Sequence, residues 1–383
     1  MVDSGKVSKL ADRLLLWFSQ NARDLPWRRT HDPYGVYVSE IMLQQTQVKT
    51  VIPYWERWMQ EFPTIAAVAQ ASPARIHKLW EGLGYYTRVR NLQRAAQTIV
   101  REHGGTFPND FEQVLALPGI GRYTAGAICS IAFNQPTPLL DGNVIRVLTR
   151  IFGIAENPKE KTTNARLWQL AEALVATAHQ KSGGDADSGG NGKGDWSTKH
   201  CSALNQSLME LGALICTPRQ PQCAVCPAKR LCVASREDRV LELPNLGKRE
   251  SATARRFIAF AIECNGKLLV RQRPAGTVNG HLWEFPNWEL EVGSELLKDS
   301  SPALALAKKL LGVAPGRLEP LASLKHSITR YRITLDAFLV GVKRRPAGMA
   351  GLWKAPGELR ELAFTAAHKK LASLAVQRIL SNR

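Results

Sequence analysis

Apolar residues recur every three to four positions along VSEIMLQQTQVKTVIPYWERWMQEF, PARIHKLWEGLGYY and RVRNLQRAAQTIVREHGG. That period puts one stripe on one side of an α-helix. Turn signals such as FPT and GGTFP interrupt the stripes, so residues 1–235 predict a set of packed helices. Beyond residue 254 the pattern changes. RRFIAFAIE, KLLVRQR and YRITLDAFLVGV read as strands with helical stretches between them, which predicts an α/β (or α+β) domain over 255–383. The polar run REDRVLELPNLGKRESATA, at 236–254, is expected to connect the two. Residues 181–196, KSGGDADSGGNGKGDW, offer almost nothing to bury and are expected to form a flexible surface insertion. The expected class is multidomain, mainly α-helical first and α/β second.

Composition narrows the partner. The chain has 383 residues with 51 Lys and Arg against 33 Asp and Glu, a formal net charge of +18. Such a balance favours a polyanion, most often nucleic acid. The segment from residue 251 onward is basic in its own right, so it too is expected to touch the polyanion. The first residues lack the apolar core and small-residue cleavage site of a secretory signal. No apolar run reaches the roughly 18 residues of a membrane span. The expectation is a cytoplasmic monomer without membrane contact, nucleoid-associated through DNA if the source is a prokaryote. The odd cysteine count fits a reducing compartment, with Cys129, Cys201 and Cys264 as buried thiols.

The other four cysteines, Cys216, Cys223, Cys226 and Cys232, form a C-x6-C-x2-C-x5-C run. A short loop carrying four soft ligands converges on one inorganic centre, an iron–sulfur cluster or a structural zinc ion. Spacing alone leaves both open. Upstream, LPGIGRYTAGAI at 117–128 places Gly119 and Gly121 in a turn between two helical stretches. Glycines there let the backbone approach a ligand closely, and the N-terminus of the following helix favours an anion such as phosphate.

The string L-P-G-I-G-R-Y-T-A matches a helix–hairpin–helix motif, and Asp141 in LLDGNVIRVL follows it before the four-cysteine loop. In that combination the first 235 residues resemble the base-excision DNA glycosylases of the endonuclease III type, and among them the MutY-type adenine DNA glycosylases. DLPWR at 24–28, SEIMLQQTQV at 39–48, EGLGYY at 81–86, LDGNVIRV at 140–147 and LNQSLMELGALICT at 204–217 carry the resemblance. It implies a 4Fe-4S cluster on the four cysteines and a substrate of double-stranded DNA with adenine mispaired opposite 8-oxoguanine.

Cleaving a purine from its sugar resembles glycoside hydrolysis: the leaving group must be protonated and an oxocarbenium-like centre stabilised. Two carboxyls in unlike environments suffice. The apolar surroundings of Glu40 in VYVSEIMLQ suit a raised pKa. By resemblance Glu40 protonates nitrogen 7 of adenine and Asp141 faces the sugar as the ionised partner, with Tyr123 and Asn143 holding it. Family members that also cut the strand carry a lysine where this chain has Tyr123, so a monofunctional enzyme is expected. Leu25, Trp27, Arg28 and Gln206 match the adenine pocket, with the Gln206 amide suited to a bidentate pairing with adenine. Gln45, Thr46 and Tyr85 match residues that meet DNA where a base has been extruded. RQRPAGTVNGHLWEFP, at 271–286, resembles a Nudix-like fold used to read 8-oxoguanine. Its magnesium-binding helix would correspond to PALALAKKLLGV, which has no acid, so recognition rather than hydrolysis is expected. The family's F-S-H loop corresponds to Ile328, Thr329 and Arg330, of which Thr329 retains a hydroxyl for the lesion. The remaining readings are an endonuclease III-type glycosylase and lyase, or a non-catalytic iron–sulfur or zinc DNA-binding protein.

Overall fold

The computed structural model describes residues 3–181, 198–248, 251–290, 300–312, 314–328 and 330–381. Of the expected insertion only Lys181 is among them, closing the helix Lys161–Lys181; the rest, like Thr329, lies outside the described residues. The chain divides into two compact units, one of Met1–Gln70 with Asn91–Arg249 and one of Ala71–Arg90 with Glu250–Arg383. No described helix is long and apolar enough to cross a membrane.

The first unit is helical, and four of its described helices begin where an aspartate side chain satisfies free backbone donors. Asp3 accepts from Lys6 N at the head of Ser4–Asn21, and Asp32 from Tyr34 N and Gly35 N at Pro33–Leu43. Asp110 accepts from Gln113 N at Phe111–Ala116, and Asp141 from Val144 N at Gly142–Phe152. Pro33–Leu43 is buried continuously from Tyr34 to Met42. A helix apolar on every side belongs at the centre of a bundle, and it packs against Arg122–Phe133 and Val48–Glu61. Arg122–Phe133 must in turn pass close to the loop that leads to Asp141. Gly126 permits this: a Cβ there would lie 2.1 Å from the Pro138 carbonyl oxygen.

The second unit is a seven-stranded mixed sheet between two helices. Its strands are β1 (Thr253–Cys264), β2 (Lys267–Gln272), β3 (Trp283–Glu284), β4 (Asn287–Leu290), β5 (Arg317–Ile328), β6 (Tyr331–Gly341) and β7 (Leu352–Lys354). The path runs β3-β2-β1-β6-β5, with β4 paired to β1 and β7 to β2. β1 and β6 are parallel, Phe260 opposite Phe338, while β5 and β6 form an antiparallel hairpin closed by the Ile328–Tyr331 pair. Side chains alternate across the sheet as the strand period requires. Ile258, Phe260 and Ile262 face Ala303, Ala307 and Leu311 of helix Ser300–Leu311, whereas Ala259 and Ala261 face Leu371 and Ala375 of helix Ala366–Ser381. Ser300–Leu311 carries no carboxylate.

Residues 71–90 are the one stretch that packs differently from the sequence reading, which placed them in the first domain. The physical reason is Glu81. Its buried carboxylate accepts from Phe364 N (3.0 Å), Lys369 Nζ (2.6 Å) and Lys78 Nζ (2.9 Å), which anchors the segment to the sheet unit.

Gly126→Ala gains helix propensity but forces a methyl group against Pro138. We expect a net loss of about 1–3 kcal/mol, read as a lower denaturant midpoint at unchanged m-value. A neutral or stabilised variant would show that this helix and loop are free to move apart.

Candidate active site

Glu40 sits three residues before the end of the buried helix Pro33–Leu43 and is only 5% exposed. Its Oε2 accepts a 2.8 Å hydrogen bond from the Tyr123 hydroxyl, which is also 3.5 Å from Met209 Sδ. Burial pushes the Glu40 carboxyl up to about 7; the Tyr123 hydrogen bond and the Arg28 charge act against the shift, and Asp141 adds to it. The Tyr123 phenol is held well above its ordinary range, chiefly by its own burial, so it remains a donor.

Asp141 serves as the N-cap of Gly142–Phe152. One carboxylate oxygen accepts from Val144 N (2.7 Å) and the other from Asn143 Nδ2 (2.8 Å). Burial raises its pKa as well, but these donors pull the other way, a compensation that Glu40 has only from Tyr123 and Arg28. Of the two, Glu40 is the carboxyl built to hold a proton. Asn143 Oδ1 accepts from Arg146 Nη2 (2.8 Å), and Arg146 also donates to the carbonyl oxygens of Gly212 and Cys216 (both 2.7 Å). One turn on, the buried Arg150 donates to Thr217 O (2.8 Å), Leu243 O (2.9 Å) and Cys216 Sγ (3.3 Å). The helix that starts at Asp141 thus grips the first cysteine of the loop with two arginines.

These groups face a cleft of about 730 Å³. The structure brings into it Glu40, Asp141, Tyr123 and Asn143, the predicted pocket residues Leu25, Trp27, Arg28 and Gln206, and the tip residues Gln45 and Thr46. Trp27 is fixed by an edge contact with Trp55 at 6.0 Å. Arg28 donates from Nε to Gln206 Oε1 (2.6 Å), and Gln206 Nε2 donates to Ser202 Oγ (3.1 Å). Both ends of the Gln206 amide therefore already have protein partners, and its orientation is set before any base arrives. Sequence reasoning passed over Arg23, Met209 and Glu210, which also line the cleft. The available signal was the placement of Glu210 four residues after Gln206, on the same helix face.

Gly119, Gly121, Tyr85 and the four cysteines are not among the residues that line this cleft. Gly119 has φ +77°, and a Cβ there would stand 2.5 Å from the Asn91 side chain, so the hairpin requires glycine on both counts. Gly121 heads helix Arg122–Phe133 without a side-chain cap, and the space beside it is open. Gln45 and Tyr85, both exposed, adopt left-handed backbone at φ +59° and +48°, a strain often kept at functional tips. Tyr85 belongs to the second unit, where Arg88 donates to the Leu83 and Gly84 carbonyls beneath it. The four cysteines line a separate small cavity together with Arg150 and Lys229.

Residues 38–173 match the family described as HhH-GPD superfamily base excision DNA repair protein, and residues 258–374 match the NUDIX domain. The chain is 34% identical to an adenine DNA glycosylase of Mus musculus, an alignment covering 96% of this chain and 78% of that one. It is also 34% identical to an adenine DNA glycosylase of Buchnera aphidicola subsp. Schizaphis graminum, over 73% of this chain and 75% of the relative. Among solved structures it resembles a thermostable thymine-DNA glycosylase, with TM-score 0.51 and 27% identity, covering 61% of this chain and 98% of that one.

The raised Glu40 pKa has a consequence for stability. A carboxyl whose folded pKa exceeds its unfolded value binds protons more tightly when folded, so its contribution is fullest at low pH and is lost as pH rises toward 7. Ionised, it costs about 3 kcal/mol of folding free energy. Glu40→Gln should therefore be more stable than wild type at about pH 8 and gain little at about pH 5. Equal gains at both pH values in thermal melts would contradict the shift.

Proposed function

The chain belongs to the MutY-type adenine DNA glycosylases of the HhH-GPD superfamily, and we propose that it removes adenine mispaired with 8-oxoguanine, or with guanine, by hydrolysing the N-glycosidic bond. The observation that carries this reading is one cleft holding two carboxyls in unlike environments, the buried Glu40 and the half-buried Asp141. Near neutral pH Glu40 retains the proton that adenine nitrogen 7 must receive as it leaves. Tyr123 occupies Glu40 Oε2, which leaves Oε1 to reach the base and afterwards to draw a proton from the attacking water. Asp141, held by Val144 N and Asn143, places negative charge beside the sugar as the oxocarbenium-like centre develops.

The product is an abasic site with an intact strand. Tyr123 supplies no amine, and the lysine lining the cleft is Lys49, on helix Val48–Glu61 rather than at the hairpin. The positively charged chain, the uncapped hairpin helix and the exposed Gln45 and Tyr85 fit a duplex whose base has been flipped out. A hydroxyl at Thr329 is left for the lesion in the second unit.

The four-cysteine loop suits a 4Fe-4S cluster. The four cysteines line one small cavity, which fits a single shared inorganic centre. Burial pushes Cys226 up to about 11 and raises Cys232, and the neighbouring thiols add to both shifts. A bound cationic centre would offset that cost by holding the thiolates ionised. The cluster would supply a rigid cross-link for a loop bearing Arg219, Lys229 and Arg230, which meets the phosphate backbone.

A duplex with a single adenine opposite 8-oxoguanine tests the proposal. Wild type should release adenine, with a rate that falls above about pH 7 as Glu40 loses its proton, and Glu40→Gln should be slower by at least about 100-fold. Borohydride should trap no covalent adduct, and the purified protein should show a band near roughly 400 nm with bound iron and sulfide. Equal rates for the two proteins would end the enzymatic reading; strand scission without alkali would end the monofunctional one.

A further inference from the structure

Glu210 is a buried carboxylate with no part in the chemistry just described. It lies on helix His200–Leu214 and is 1% exposed. Arg23 donates to its Oε1 from the backbone N (3.1 Å) and from Nε (2.6 Å), and to its Oε2 from Nη2 (2.8 Å). Arg28 adds a bond from Nη2 to Oε2 at 3.0 Å. Four donors saturate the group, and its arginine partners hold its carboxyl below the usual range against the effect of burial.

One carboxylate thus serves two guanidiniums. Arg28 is the buried one, 8% exposed, and its remaining bonds run to Gln206 Oε1 and the Arg23 carbonyl. It also shares the cleft with Glu40, and the two groups perturb each other's titration. A guanidinium between two buried carboxylates pairs with whichever is ionised and better placed. An ion pair between Arg28 and Glu40 would favour the ionised acid and lower its pKa. Glu210 instead takes the Arg28 Nη2 donor.

We infer that Glu210 is a positioning residue for base release: it draws Arg28 against Gln206 in the base pocket and so keeps the guanidinium from forming an ion pair with Glu40. This rests on the reading of Glu40 as the acid. The groups facing Glu40 are Tyr123 from helix Arg122–Phe133, Asp141 from the head of Gly142–Phe152 and Arg28 from the turn Pro26–Arg28. Gln206 and Met209 from helix His200–Leu214, Lys49 from Val48–Glu61 and the Arg23 guanidinium also line the cleft. Glu210 holds both arginines, but of the two only Arg28 acts on Glu40.

The test is single-turnover adenine release from a duplex with one adenine opposite 8-oxoguanine, followed between about pH 5 and 9. Wild type, Glu210→Gln, Arg28→Met and the double variant are compared. In Glu210→Gln the alkaline limb should move down by about one pH unit, so the rate near pH 8 falls about tenfold more than the rate near pH 5. In the Arg28→Met background the same change should leave the limb in place, because no guanidinium remains to be released. Glu210→Asp, with a shorter reach, should move the limb in the same direction and serves as the second variant if Glu210→Gln fails to fold. A uniform slowing at all pH values, or an equal limb shift with Arg28 absent, would overturn the inference and leave Glu210 a structural ion pair. Failure of wild type to release adenine is a separate outcome and would remove the enzymatic reading itself.

Discussion

A carboxyl group kept out of water beside a second carboxyl is the constraint around which the first unit is arranged. Moving Glu40 from water to its buried helix raises its pKa to about 7, a differential of about 3 kcal/mol between its two protonation states. The surroundings set how far that shift goes. Tyr123 and Arg28 stabilise the charged form, Asp141 opposes it, and the balance leaves a group that both holds and releases a proton near neutrality. More opposing charge would fix the carboxylate; less would leave an acid that never regenerates its base. The half-buried Asp141 is raised as well, but more donors work against the shift. The helix N-terminus offers it the Val144 amide and Asn143 reaches back to it, so local backbone geometry separates the two carboxyls where burial alone would not.

That separation depends on helix Gly142–Phe152 staying where it is, and the helix is held from its inner face. Arg146 and Arg150, one turn apart, donate to carbonyl oxygens of Gly212, Cys216, Thr217 and Leu243. Such bonds satisfy buried acceptors that have no helical partner. They also make the four-cysteine loop a mechanical support for the Asp141 end, since Arg146 bonds Asn143 at one side and the Cys216 carbonyl at the other. The loop thus bears on the site through its backbone, by the hydrogen bonds that its carbonyl oxygens accept.

Much of this was legible in the chain because the relevant contacts are local. A Gly-x-Gly hairpin, an aspartate heading a helix and four cysteines within one loop each declare themselves in a few consecutive residues. Glu40 was legible through its apolar neighbours, which place it on a helix with no solvent face. The arrangements that escaped are long-range and ionic. Arg23 and Glu210 are separated by 187 positions, and no periodicity links them. Glu81 was read inside an ordinary amphipathic helix, but its partners Phe364 and Lys369 come from the other end of the chain. Hydrophobic period reports which face is buried, not which charged group waits on the far side.

The second unit shows the same division between what a scaffold dictates and what a tip decides. Its core is specified by strand alternation alone, Ile258, Phe260 and Ile262 to one helix and Ala259 and Ala261 to the other. None of those residues bears on what is recognised. The β5–β6 hairpin closes at the Ile328–Tyr331 pair, the place where the sequence reading expects the lesion contacts. An aromatic ring does remain beside the turn: Tyr331 carries the Arg330 guanidinium 5.4 Å from its centroid and that of Arg255 at 5.1 Å. The two cations draw on the ring of this half-buried phenol, and the Arg330 hydrogen bond and charge hold its pKa below the ordinary range. The closing pair of this hairpin therefore carries a guanidinium on either side of its ring, of which that of Arg255 is also paired with Glu289.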